Sequence, residues 1–289
     1  MRRFEQMNPI TTAFYYLCVL GVTMFSMQPV ILCISLFSSV LCGVLDRSAG
    51  RRAHIFSAVL FIIAAVINPI AVHNGSTVLF YLNDRPFTLE AVVYGIAAAC
   101  MITASLYWLR SLSKAMTSDK VMYIFGRFSP KTALIISMSI RYIGLFRLRW
   151  RKIQDSQRAL GLYDDGNLID AVRGRARVLS ILITWTLENG IVTAESMEAR
   201  GYGSMRRTSY SDHRIHTADV ALMAVFAILT AFTVAGLVNT SAVYYPDLKF
   251  NLFTPWGIVG AAAFFALCIL PPVINIKEAI RWRILTSKI

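Results

Sequence analysis

The sequence predicts an all-α integral membrane protein, with about six transmembrane helices and two long cytoplasmic helices. Three observations predict it. Of 289 residues, 56% are hydrophobic and only 16% charged, with a mean hydropathy of +0.56, an apolar share above and a charged share below those of a soluble domain. Apolar stretches near the twenty residues that cross a bilayer's hydrocarbon core recur along the chain. The formal net charge of +13 gathers between those stretches, as the positive-inside rule distributes it.

Four spans are read directly, at about 55 to 72, 89 to 109, 217 to 239 and 252 to 275. Residues 10 to 45 are too long for one span, and Pro29 in "FSMQPV" supplies a turn near their middle. Arg2 and Arg3 precede this stretch, and Arg47, Arg51 and Arg52 follow it. With both basic ends cytoplasmic it becomes a hairpin of two spans. The loop 73 to 88 then falls outside, as does the charge-poor segment 240 to 251. Residues 110 to 131, with Arg110, Lys114, Lys120, Arg127 and Lys131, fall inside, as does the tail with Lys277, Arg281, Arg283 and Lys288. Six spans with both termini cytoplasmic satisfy every loop. The apolar start runs straight into more apolar sequence with no small-residue cleavage site, and so reads as a retained first span.

Between the fourth and fifth spans lie about a hundred residues of a different kind, and the expected division is 1–128 and 215–289 in the membrane with 129–214 beneath it. A first helix opens at Ser129 as N-cap with Pro130 at its first position, and ends at Gly161, suited to a left-handed cap. A second runs from Leu168 to Arg200, with Asp170 and Arg200 placed favourably for its dipole. Unbroken, each is roughly 45 Å long. In the second, Val172, Leu179, Ile183, Leu187 and Ile191 recur at helical spacing and form a face that wants burial.

The two helices share an ending. Ser156-Gln157-Arg158-Ala159-Leu160-Gly161-Leu162 and Ser196-Met197-Glu198-Ala199-Arg200-Gly201-Tyr202 both read S-x-x-A-x-G-x. A small residue followed by a glycine cap lets another surface approach the backbone closely, and Arg200 adds a planar, permanently charged donor for a carboxylate there. The candidate contact residues are therefore Ser156, Ala159, Leu160 and Gly161 at the first end and Ser196, Ala199, Arg200 and Gly201 at the second.

With "MNPIT" before the first span, "NPIAVHNGST" (68 to 77), "FTLEAVVYG" (87 to 95), "SIRYIGLF" (139 to 146) and the paired endings, nearly the whole chain resembles the transmembrane T component of energy-coupling-factor transporters, vitamin and metal importers related to ABC systems. The resemblance implies a non-catalytic subunit whose two Ala-Arg-Gly helix ends dock in two ABC-type ATPases, identical or not. Those partners bind ATP and magnesium, and a separate small membrane S component binds the solute. The chain itself would bind no cofactor. Ala199-Arg200-Gly201 matches the motif fully; the first copy departs, with Leu160 where the family has arginine. Arg158 does not replace it, because two residues along a helix turn a side chain by about 200°. An asymmetric pair of contacts is expected, charged at Arg200 and apolar at Leu160.

Other classes are weighed on the same residues. No G-x-x-x-x-G-K-[ST] is present. The acidic run Asp164, Asp165 and Asp170 resembles one magnesium-binding cluster of a membrane prenyltransferase, but such an enzyme needs a second. His213 and His216 have no third metal ligand nearby. The five cysteines, Cys18, Cys33, Cys42, Cys100 and Cys268, lie singly in apolar runs and read as small packing residues. Basic residues placed by topology leave nothing to recommend nucleic acid as a partner. The nearer alternative is a self-contained permease, or an ABC-type membrane subunit, with its own solute site.

Overall fold

The computed structural model describes residues 8–45, 50–72, 75–82, 85–162, 168–204, 216–251 and 254–286. Outside them lie Arg2, Arg3, Arg47, His73, Asp164, Asp165, His213 and Lys288, on which several of the expectations above rest. The chain divides into two compact units, Met1–Val121 with His213–Ile289, and Met122–Asp212.

The first unit is a helical bundle of α1 (Pro9–Phe25), α2 (Pro29–Leu45), α3 (Arg51–Ala71), α4 (Leu89–Ala115), α8 (Thr217–Val238) and α9 (Pro255–Thr286). The expected turn in the first apolar stretch is present: Asn8 caps α1 by accepting from the Ile10 N–H at 3.0 Å, Ser26 ends it in extended conformation, and Pro29 opens α2. α3, α4, α8 and the Pro255–Ile276 part of α9 are long and apolar enough to cross a bilayer. α1 and α2, at 17 residues each, reach the short end of spanning length.

Three connections meet at one end of this bundle. Residues 73–88 hold a short antiparallel ribbon of β1 (Val78–Leu82) and β2 (Arg85–Thr88), and residues 240–251 another, of β3 (Ala242–Val243) and β4 (Lys249–Phe250). The Ser76 N–H donates to the Pro246 carbonyl at 3.2 Å, and the Tyr244 hydroxyl to the Met27 carbonyl at 2.6 Å. Burial, with Tyr94 nearby, pushes the Tyr244 phenol up to about 12, so it keeps the proton this bond needs. The α1–α2, α3–α4 and α8–α9 turns thus share one end of the bundle.

Glu90, buried in the first turn of α4, ties the 73–88 connection down by accepting from the Ser76 hydroxyl at 3.1 Å and from the Thr77 N–H at 3.1 Å. The core is aromatic, with Tyr15, Tyr16, Trp108 and Phe226 meeting edge to face or tilted at centroid distances from 5.1 to 6.4 Å. Hydroxyl groups lock it. Thr23 donates to the Val19 carbonyl at 2.8 Å, so in its 2.9 Å bond with Ser35 the serine is the donor. Ser35 in turn accepts from the Trp108 indole N–H at 3.1 Å. Between spans, where lipid is as apolar as leucine, such polar contacts and close backbone approach hold helices together. One close backbone approach joins α8 to α9, where Gly236 and Gly260 face each other.

α5 (Ser118–Phe128) leads out of the first unit. The second unit is built on α6 (Pro130–Ala159) and α7 (Leu168–Ala199). Ser129 and Pro130 start α6 as expected, though the Ser129 side chain makes no cap bond; its carbonyl accepts from the Thr132 hydroxyl at 2.8 Å.

Candidate functional site

Both helix ends close with the same hydrogen bonds. At the end of α6 the Gly161 N–H donates to the Arg158 carbonyl at 2.9 Å and the Leu162 N–H to the Gln157 carbonyl at 3.0 Å. At the end of α7 the Gly201 N–H donates to Glu198 at 2.8 Å and the Tyr202 N–H to Met197 at 3.0 Å. Each is a Schellman motif, which needs its central residue in the left-handed region. Glycine meets that need at both ends, with φ of 65° at Gly161 and 79° at Gly201. The repeat in sequence is therefore a repeat in backbone shape.

The eight candidate residues fall where the sequence placed them. Ser156, Ala159, Leu160 and Gly161 are exposed at one end, and Ser196, Ala199, Arg200 and Gly201 at the other. The Ser156 hydroxyl turns back to the Lys152 carbonyl at 2.9 Å, and the Ser156 and Ser196 carbonyls accept from Leu160 and Arg200 N–H groups, each at 3.2 Å. Leu160 is 68% exposed and Leu162 49%. Gly161→Ala meets no neighbouring atom, so only the dihedral opposes it. It is expected to cost about 1 to 2 kcal/mol locally, seen as faster amide hydrogen exchange at Gly161 and Leu162.

The two ends do not lie side by side. The Tyr142 hydroxyl bonds Thr193 at 3.2 Å, the Arg149 guanidinium sits 4.7 Å over the Trp185 ring, and Arg177 donates to the Leu162 carbonyl at 3.2 Å. As numbers rise along α6 they fall along α7, so the helices are antiparallel and their ends point opposite ways. At 1.5 Å per residue from Arg177 to Arg200, the tips stand roughly 35 Å apart.

The face of α7 that meets α6 was missed by hydrophobic pattern. The buried stripe is Ala171, Gly174, Val178 and Leu182, the first two of them small enough to let two helices approach. Val172 at 64%, Leu187 at 66% and Ile191 at 61% exposure, with Leu179 and Ile183, face away from it. At 100° per residue the two stripes are centred about 150° apart around the helix. The spacing of small residues every three or four positions was the available signal.

Asp170 is exposed and lies 3.9 Å from Arg173, an ion pair of little strength. Among the described residues no group of three His, Cys, Asp or Glu gathers as a metal site.

The fold and this pair of ends define a multi-pass α-helical membrane protein that carries an antiparallel helical hairpin with a matched, exposed cap at each tip. No family model matches the chain. It is 26% identical over 186 residues to energy-coupling factor transporter transmembrane protein EcfT 1 of Listeria monocytogenes, covering 59% of this chain and 68% of that protein. It is 33% identical over 112 residues to the EcfT of Lactobacillus helveticus, covering 38% of this chain and 40% of the relative. A putative ABC transporter ATP-binding protein of Bifidobacterium longum is 23% identical over 189 residues, which are 61% of this chain and 24% of that protein. The matched region is thus two thirds of the first relative and less than half of the others. Each of the first two relatives is a transmembrane protein of an energy-coupling-factor transporter.

Proposed function

We propose that this chain is the coupling subunit of an energy-coupling-factor importer, passing the ATP-driven motion of two ABC ATPases to a separate substrate-binding membrane subunit that takes up a vitamin or a metal ion. One observation carries the reading: a single hairpin presents the same exposed, glycine-closed helix end at each of two tips roughly 35 Å apart. A cap made of backbone with small side chains suits insertion into a groove, and two such caps at opposite ends suit two motors. Similarity to a protein named as an ATP-binding component of an ABC transporter supports that class of partner. The aliphatic stripe of Val172, Leu179, Ile183, Leu187 and Ile191, turned away from α6, offers a membrane-embedded partner a face to cover. On this reading the chain is not an enzyme, binds no cofactor, and sits in the cell membrane with both termini cytoplasmic.

Arg200 is the residue to test. It is exposed at the tip of α7, and among the described residues its guanidinium makes no hydrogen bond or ion pair, which leaves it available to a partner's carboxylate. Arg200→Ala is expected to weaken ATPase association by about 2 kcal/mol or more, the usual cost of truncating one member of a desolvated charge pair. Co-purification of the ATPases with the full chain, and uptake by cells, should fall together. Intact co-purification and uptake would reject the proposal. Solute binding by the purified chain alone would replace it with a self-contained permease.

A further inference from the structure

We infer that the α3–α4 pair carries a site for an anionic phospholipid, in the leaflet at the end of the bundle opposite the two ribbons. The Arg110 guanidinium takes the headgroup phosphate, Arg52 adds charge beside it, and the uncovered flank of α3 takes the acyl chains. The inference needs only that this bundle spans a bilayer, and it is independent of the coupling reading.

The packing of the pair places Arg110. α3 and α4 run antiparallel, with the Asn68 side-chain amide donating to the Ala91 carbonyl at 3.0 Å near one end and the His54 Nδ1 lying 2.7 Å from the Tyr107 hydroxyl near the other. At that second end the Arg110 Nη1 donates to the Ala53 carbonyl at 3.1 Å and to the Ser57 hydroxyl at 3.2 Å. Those two bonds use both hydrogens of Nη1. Among the described residues the Nε and Nη2 hydrogens bond nothing, and together they form the edge of the fork that fits two oxygens of one phosphate. Arg110 is half-buried, and both its acceptors are neutral. α3 has no Asp or Glu, and the one in α4, Glu90, stands at the far end. A guanidinium fixed against the first two turns of a span without a counter-charge is costly, and an anion from outside the chain removes that cost.

The flank of α3 beside Arg110 fits a lipid. Arg52, Phe56, Val59, Ile63 and Ile67 are all exposed and, at 100° per residue, fall within about 80° of arc. Phe56 belongs to this stripe, and its ring centroid is 6.0 Å from the central carbon of the Arg110 guanidinium, so the cation stands at the head of the stripe. Arg52 begins it one turn earlier, and among the described residues its side chain bonds nothing. Only 11% of the apolar stretch of α3 is buried, against 50% for α4. Uncovered apolar length suits acyl chains, and two cations at its head suit a phosphate. A zwitterionic headgroup would bring its own ammonium against Arg52, whereas an anionic one brings none. Charge therefore selects the anionic lipid.

The test uses the full chain, reconstituted in vesicles of phosphatidylcholine with phosphatidylglycerol of the same acyl chains as the minor lipid, released into detergent and weighed intact by native mass spectrometry. Retention of phosphatidylglycerol in preference to phosphatidylcholine is the expected result. Arg110→Gln and Arg52→Gln should each lower that retention at least about fivefold. Arg110→Lys, which keeps the charge and loses the fork, should fall between the wild type and Arg110→Gln. Lys249→Gln, exposed at the ribbon end, should change nothing. Arg52→Gln breaks no bond within the described chain, so it decides the matter even if Arg110→Gln loosens α3 from α4. Equal retention of the two lipids, retention of neither, no effect of Arg52→Gln, or an equal effect of Lys249→Gln would each overturn the inference. So would displacement of the retained lipid by excess inorganic phosphate, which would make this a site for a free anion. None of these outcomes bears on the coupling reading.

Discussion

Gly236→Leu is expected to pull α8 and α9 apart and to cost about 3 kcal/mol, at the upper end of what overpacking does to a filled interior. A Cβ at Gly236 would stand 2.7 Å from the Gly260 Cα and 2.8 Å from the Trp256 carbonyl, and one at Gly260 would stand 2.9 Å from the Gly236 Cα. Both obstacles are backbone, so no side chain can swing aside. The sign is diagnostic even for the smallest change. In an open helix glycine to alanine stabilises by roughly 0.5 to 1 kcal/mol, whereas here Gly236→Ala should lower the thermal unfolding midpoint of the detergent-solubilised chain and Gly236→Leu should lower it further. A midpoint unmoved by the leucine would show that these helices do not touch at this point.

Trp185→Ala should loosen the hairpin without unfolding its helices. Trp185 carries the Arg149 guanidinium 4.7 Å above its ring and meets Phe146 edge to face at 6.4 Å; Phe146 stacks in turn on Tyr142, whose hydroxyl bonds Thr193. A cation over an aromatic ring contributes about 0.5 to 1 kcal/mol and an aromatic pair about 0.5 to 1.5, so roughly 2 kcal/mol of hold is lost. Spin labels on cysteines placed at Ala159 and Ala199, both exposed, report the distance between tips. The wild-type chain should give a narrow distribution near 35 Å, and Trp185→Ala a broad one, with Trp185→Phe between them. A distribution no broader than the wild type would mean that the clasp does not set the separation. On the proposed coupling function, the same variant should lower solute moved per ATP hydrolysed while ATP hydrolysis continues, a loss that failed assembly would not mimic.

The helices were legible because composition, length and the placement of arginine and lysine all follow from the bilayer. Pro29, Pro130, Gly161 and Gly201 marked ends because a locked φ or a left-handed one leaves the chain few choices. The tips were legible for the same reason: a cap is local, and its hydrogen bonds span only six residues. The inner face of α7 was not. Hydrophobicity pointed to Val172, Leu179, Ile183, Leu187 and Ile191, yet α6 packs on Ala171, Gly174, Val178 and Leu182, because in a thin pair of helices closeness of approach outweighs area per residue. The Glu90 anchorage of the 73–88 connection, the Thr23–Ser35–Trp108 chain and the opposition of Gly236 to Gly260 all depend on segments far apart in sequence. No local pattern announces them.

The position of Trp185 along the hairpin has a mechanical consequence. Helices bonded at every turn scarcely shorten under load, so forces applied at the two tips must change the angle at which the rods lie across each other, and the interlocked tryptophan is the natural fulcrum. From Arg149, whose guanidinium lies over its ring, to Leu160 is about 17 Å, while from Trp185 to Arg200 is about 23 Å. The arms are unequal, and for any common rotation the arginine-bearing end sweeps the longer arc.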